Sequence, residues 1–363
     1  MDLSGFSIGY VPFRSPSLHP FDLRNFVYYA RKRNIPFEIA DPNKEYDIVV
    51  LTPQVDLSFW NRFPRRKTKL IYMLVDSYLA VSGFDLKGAL RGFAKFCVGE
   101  HRSLRLNYAD AIKDMCRRAD AVMCSTLEQK HDIQEYCRNV HVILEFHQKI
   151  ASRVKNDYAQ PEKIKLVWEG RPENAAALAG IKDVLIQLKA KYPLSLYVIT
   201  DLEYGRYMNR FKKVSMVKQL QRIFGSEYHA NTVSGNDSLV YLYQWNKQDV
   251  SRLITGCDIA VIPLDTADPL MRGKPENKLL FFWRMGMPCV VSAIPTYTRI
   301  MEKIGMPLYC KNNQDWYEKL EKLILGADAR KAAGLAGLKI AETEYSQEQY
   351  LLQWDRLFES VKK

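Results

Sequence analysis

Short apolar runs alternate with helix-length segments along almost the whole chain, and that alternation constrains the fold more than any single motif does. The first runs are FSIGYVPF (6–13), IPFEIA (35–40), YDIVVLT (46–52) and TKLIYMLVD (68–76). Between the first two, PFDLRNFVYYARKRN (20–34) carries apolar residues at helical spacing. After a basic, irregular stretch come a helix ending near Arg118, the strand DAVMCST (120–126), the helix LEQKHDIQEYC (127–137) and the strand VHVILEF (140–146). Strands separated by helices of about ten or more residues predict a parallel, doubly wound sheet.

Residues 147–162, HQKIASRVKNDYAQPE, break this period: they are polar, poor in apolar runs, and read as a linker. The pattern then restarts with KIKLVWEG (163–170) as strand, NAAALAGIKDVLIQLKAKY (174–192) as helix and LSLYVIT (194–200) as strand. A basic helix around FKKVSMVKQLQRIFG (211–225), the strand SLVYLYQW (238–245), the helix KQDVSRLITG (247–256) and the strand CDIAVIPL (257–264) follow. Two α/β halves without sequence repetition are therefore expected, residues 1–150 and 160–344, with an amphipathic helix at 345–363. A length of 363 residues fits two domains at about 150 residues each.

Composition narrows the class of partner. A hydrophobic share of 47% with 26% charged residues argues against disorder and coiled coil. No run approaches the ~18 consecutive apolar residues of a membrane span, and MDLSGFSIGYVPF lacks the basic start and long apolar core of a signal peptide. Seven cysteines form no Cys-x-x-Cys pair, as suits buried thiols in a reducing compartment. A cytoplasmic protein is the expectation. A net charge of +12 implies an anionic partner: nucleic acid, an acidic membrane surface or a phosphorylated substrate. No nucleic-acid module is recognisable, and the aromatic residues are scattered through strands instead of interleaved with cations, so nucleic acid is not expected. The basic stretches 63–69 and 209–225 read either as faces toward an anionic leaflet, at the inner side of the cell membrane, or as solvated surface.

In doubly wound sheets ligands bind beyond the carboxyl ends of the strands, and with two sheets the cleft between them is the natural site. The positions to inspect are then 9–19, Asp76, Ser77, 145–147, Glu169, Gly170, Arg171, Asp201, Gln244, Trp245 and 264–274. The richest stretch is MRGKPENKLLFFWRMGMPCVVS (271–292), a cationic turn, an apolar helix, a Gly-x-Pro break and a buried strand. Its Lys274, Asn277, Lys278, Gly286 and Pro288 match a Lys-x-x-Asn-Lys and Gly-x-Pro pattern. On these residues, and on ADAVMCSTLEQKHDI, LVWEGRPEN and YSQEQYLLQWDRLFESV in the same order, the chain resembles GT-B glycosyltransferases, more narrowly family 4 (glycosyl transferases group 1).

The resemblance covers most of residues 118–360 and implies an α/β fold of two Rossmann-like doubly wound domains facing across a cleft, the C-terminal helix crossing back to the N-terminal domain. It implies a nucleotide-sugar donor in the C-terminal domain and a glycan or lipid-linked glycan acceptor in the N-terminal one, as in envelope polysaccharide assembly. The mechanism it implies is retaining and metal-independent, with no cofactor beyond the nucleotide-sugar itself. Gly9, Gly170, Arg171, Lys274, Glu276, Asn277 and Lys278 are the candidates for the donor diphosphate and sugar, with turn chemistry as the alternative for Gly170. Gln244 and Trp245 are the candidates for the base, with packing as the alternative for the indole. Cations and free backbone N–H groups would hold the charge that develops on the leaving diphosphate. An inverting reaction would need a general base, for which His19, Asp22, Asp76, Glu100 and His101 are candidates. Phe281 stands where the family keeps a glutamate for the donor ribose, and a phenyl ring accepts no hydroxyl hydrogen bonds. A sugar-nucleotide epimerase of the same fold and a catalytically inactive partner subunit are the alternatives.

Overall fold

A computed structural model describes residues 3, 5–14, 18–80, 108–146, 150–206, 212–228 and 238–362. They form two compact units. The first contains residues 1–146, the short segment Asp268–Pro275 and Ser346–Lys363; the second contains His147–Ala267 and Glu276–Tyr345.

The first unit is built on six parallel strands: β1 (Ile8–Val11), β2 (Glu38–Ile39), β3 (Ile48–Leu51), β4 (Lys69–Met73), β5 (Ala121–Cys124) and β6 (Val140–Val142), in the order β2-β1-β3-β4-β5-β6. Every residue of β3 and β5 is buried. Strands covered on both faces read as unbroken apolar runs, which is why they stood out in the sequence. The closing helix, Gln347–Lys362, belongs to this unit. Its Trp354 and Phe358 rings stack on Tyr29 of the helix Phe26–Lys32, with centroids 5.5 Å away in each case. Asp355 accepts a hydrogen bond from the Tyr29 hydroxyl at 2.9 Å and from Arg33 at 2.6 Å. At the sheet edge, His141 Nε2 meets the Ser360 hydroxyl at 3.1 Å.

The second unit has its own six-stranded parallel sheet, ordered β11-β8-β7-β12-β13-β14. Its strands are β7 (Ile164–Glu169), β8 (Leu194–Thr200), β11 (Val240–Gln244), β12 (Ile259–Ile262), β13 (Cys289–Ser292) and β14 (Tyr309–Cys310). An antiparallel hairpin, β9 (Glu203–Arg206) and β10 (Lys212–Ser215), stands apart from it. The presumed linker is fixed to this unit. Arg330, fully buried, donates to the carbonyls of Leu323, Ile324, Tyr158 and Ala159 and to Gln160 Oε1 at 2.7–3.1 Å. A polar stretch can lie against a core only when its carbonyls find donors, and one guanidinium supplies them here.

Two expected helices differ from the sequence reading. The segment 174–192 divides into a 3-10 stretch, Pro172–Ile181, and an α-helix, Lys182–Lys189. Gly180, at the junction, is a poor helix former. In the basic segment 211–225, residues Lys212–Ser215 are strand β10, and the helix begins only at Met216.

Candidate functional site

β7 ends on a carboxylate. Five residues, Ile164 to Trp168, precede Glu169 in the strand, and Glu169 itself is only 8% exposed. Its Oε2 accepts a hydrogen bond from Lys278 Nζ, and Lys278 is its one side-chain partner among the described residues. Next comes Gly170, where a β carbon would lie 2.9 Å from the Trp168 ring, so the glycine is required by packing. Arg171 follows with its side chain 81% exposed, paired with Glu173 at 3.1 Å. An exposed pair of this kind contributes little, and the guanidinium is available to a stronger anion.

Lys278 lies in the first turn of the short helix Asn277–Trp283. Its ammonium reaches Glu169 while sitting 5.3 Å from the centre of the Phe281 ring, one turn further on. Phe281 is buried, against Phe282. Asn277 Oδ1 is buried without a hydrogen-bond partner. The helix closes at Gly286, whose φ of +68° is the left-handed conformation that favours glycine. The Gly286 carbonyl accepts the Tyr158 hydroxyl at 2.7 Å, which ties the Gly-x-Pro turn to the linker.

Glu276, a candidate for the diphosphate, is the residue before the short helix Asn277–Trp283. Its Oε1 accepts the hydroxyl of half-buried Tyr345 at 2.8 Å. Burial pushes the Tyr345 hydroxyl up, and pushes the neighbouring Arg284 guanidinium down to about 10. Gln244 is occupied locally as well. It accepts from Leu202 N at 3.1 Å and donates to Asp201 Oδ1 at 3.0 Å, which leaves half-buried Trp245 as the less committed of the two base candidates.

Lys274 falls in a different unit from Asn277 and Lys278. The boundary between the two units falls inside the motif, after Pro275, and Lys274 belongs to the first unit. The 3-10 turn Pro269–Gly273 ahead of it is held by Gln129, whose Nε2 donates to the Gly273 carbonyl at 2.8 Å. Arg272 pairs with Asp132 at 3.3 Å, and a β carbon on Gly273 would overlap the Ser77 hydroxyl. Asp265 and Asp268 accept backbone N–H groups of Ala267 and Leu270 in turns of their own.

In the first unit, Asp22 accepts three hydrogen bonds. Fully buried, it accepts the Tyr10 hydroxyl, Phe13 N at 2.9 Å and His19 N at 2.6 Å. Three donors leave little capacity to take a proton from an alcohol. His19 Nδ1 accepts from Phe21 N at 3.2 Å, and the ring stacks on Phe13 with centroids 4.8 Å apart. The neutral ring therefore carries its proton on Nε2 and presents a donor, not a base. Burial, then the nearby Arg14, lowers its pKa and favours that neutral form. Gly9 lies within β1, where a β carbon would press on Ala40 and Tyr46 at 3.1 Å, so packing accounts for it. Asp76 is exposed in the turn after β4. Glu100 and His101 lie outside the described residues.

Two parallel six-stranded α/β sheets of this kind define the GT-B fold of glycosyltransferases. TarM shares that fold with a TM-score of 0.57 at 12% identity over 86% of this chain; the chain spans 54% of TarM's length. WaaG, a glycosyltransferase involved in lipopolysaccharide biosynthesis, matches with a TM-score of 0.51 at 15% identity, over 97% of this chain and 86% of its own. The pneumococcal O-GlcNAc transferase GtfA, solved with UDP and GlcNAc, matches with a TM-score of 0.55 at 12% identity, over 93% of this chain and 60% of its own. No protein-family model and no curated protein matches the sequence.

Proposed function

We propose that this chain is a glycosyltransferase that moves a sugar from a nucleotide-sugar donor to a hydroxyl of a glycan or lipid-linked glycan. The donor is held by the second unit and the acceptor by the first. The observation that carries this reading is the charged carboxyl end of β7, where Glu169 meets Lys278 and is followed by Gly170 and the exposed Arg171, within a GT-B fold. Negative charge develops on the diphosphate as the glycosidic bond breaks, and fixed cations stabilise that state more than the ground state. Lys278 and Arg171 are the cations for that task. The reaction is retaining and needs no metal or cofactor, and its setting is envelope polysaccharide synthesis on the cytoplasmic side. Among the described residues no helix is long and apolar enough to cross a membrane, so an approach to the anionic inner leaflet would use basic surface alone.

Thermal-shift screening of the full chain against UDP, GDP, dTDP, CMP and ADP sugars tests the reading. A donor that binds the folded state raises Tm by mass action, and Lys278→Ala should weaken that rise. The absence of a shift with every nucleotide would end the proposal.

A further inference from the structure

The segment Asp268–Pro275 belongs to the first unit, although the residues on either side of it, Ala267 and Glu276, belong to the second. Its seat centres on one side chain. Gln129 is 2% exposed, and its Oε1 accepts the Ser125 N–H at 2.7 Å. An N–H can meet only the oxygen of the amide, so this bond fixes which way the amide faces. Its Nε2 then donates to the Gly273 carbonyl and to the Val75 carbonyl, both at 2.8 Å. The Thr126 hydroxyl adds a longer bond, 3.4 Å, to the same Gly273 carbonyl. Gly273 fits the seat because it has no side chain: a β carbon there would overlap the Ser77 hydroxyl. The remaining pair, Arg272 with Asp132, has an exposed arginine and contributes little.

A short, stiff link joins this seat to Lys278. Only Lys274, Pro275 and Glu276 separate Gly273 from Asn277, where the helix that carries Lys278 begins, a span of about 10 Å even when fully extended. Proline fixes its own φ and holds the residue before it extended; Lys274 is extended, with φ −68° and ψ 128°. Such a link passes a displacement at one end to the other instead of absorbing it. We propose that Gln129 is a positioning residue for donor binding: by seating Gly273 it sets where the stretch from Lys274 to Lys278 begins, so that the hold of Lys278 on a diphosphate and the seat of Gly273 strengthen one another. The proposal rests on the nucleotide-sugar reading above. Its content is a coupling between two places in the chain, and a coupling of binding free energies has the same size in both directions.

The test measures both directions on the full chain. Cleavage by trypsin after Arg272, followed by mass spectrometry of the new terminus, reports release of the segment, because a protease needs the backbone locally opened. In wild type, a saturating nucleoside diphosphate, chosen from UDP, GDP, dTDP, CDP and ADP by binding, should slow that cleavage about fivefold or more. Gly273→Ala should weaken binding of the same diphosphate by a similar factor. Gln129→Glu keeps an acceptor for Ser125 but turns a carboxylate toward the Gly273 carbonyl, and should act as Gly273→Ala does. Adding Ser77→Gly to Gly273→Ala removes the overlap and should restore affinity and protection together, whereas general structural damage would deepen with a second substitution. Thermal melting checks that each variant is folded, and the wild-type protection decides without any variant. A cleavage rate that nucleotide leaves unchanged in wild type overturns the assignment, and so does unchanged affinity in folded Gly273→Ala; either result leaves the nucleotide reading standing. A wild-type chain that binds none of the diphosphates removes that reading and the assignment together.

Discussion

Asp22 in the first unit and Glu169 in the second are both nearly buried acids close to the first strand of their sheets, yet the structure treats them in opposite ways. Asp22 is closed off by a tyrosine hydroxyl and two backbone N–H groups, and so ties Phe13 and His19 to Tyr10 of β1. Glu169 keeps one side-chain partner among the described residues, Lys278. The difference lies in the partners: Asp22 is met by neutral donors, whereas Glu169 meets a cation at the carboxyl end of a strand, the edge at which doubly wound sheets meet their ligands.

Removing each side chain should expose the contrast, beginning with the largest effect. Asp22→Ala strands three donors in a closed pocket and should lower folding stability by about 3 kcal/mol or more in denaturant titrations. A loss under about 1 kcal/mol would mean that water reaches the pocket freely. Lys278→Ala leaves Glu169 unpaired and should cost about 1–3 kcal/mol by the same measurement, together with at least about a tenfold loss of nucleotide affinity. Glu169→Gln keeps the shape and can still bond Lys278, so its stability should stay within about 1 kcal/mol of wild type. If it unfolded the protein as Asp22→Ala does, the two acids would be alike and the comparison would fail.

Arg171→Ala should move stability by less than about 0.5 kcal/mol, because the pair with Glu173 is exposed, yet weaken donor binding severalfold. The smallest effect is on pH dependence in the first unit. Burial, then the charge of Lys130, lowers the pKa of His141 from its ordinary 6.5, so folding favours the neutral ring. That contribution is complete above pH 6.5 and is lost as pH falls below it, since the unfolded chain then binds the proton more readily. His141→Gln should flatten this part of the stability profile, and an unchanged slope would assign it to another group.

Both sheets were legible in the sequence because parallel strands buried on two faces are continuous apolar runs, as in IVVL of β3 and IAVI of β12. The closing helix was legible from its amphipathic spacing. The division of 172–189 was not, since its alanines suit either helix type locally, and neither was β10, whose lysines disguise a strand in a hairpin. At the candidate site, Arg171 and Lys278 could be named from charge and position, but the partners of a charge are a property of the folded chain. Hence the sequence shows Asp22 and Glu276 as acids, but not that Asp22 accepts three donors and Glu276 the Tyr345 hydroxyl, while Glu169 reads only as a residue at the end of a strand. Its signal, had it been weighted, was an acid closing the otherwise largely apolar run IKLVWE.

The most direct test of transferase chemistry is to hold the full chain with its bound nucleotide-sugar in the absence of acceptor and follow the sugar by NMR. The account predicts slow release of free nucleoside diphosphate, with the sugar freed in its original anomeric configuration and the rate reduced at least about tenfold in Lys278→Ala. Release of an epimerised sugar, or a donor that stays bound and intact throughout, would contradict it.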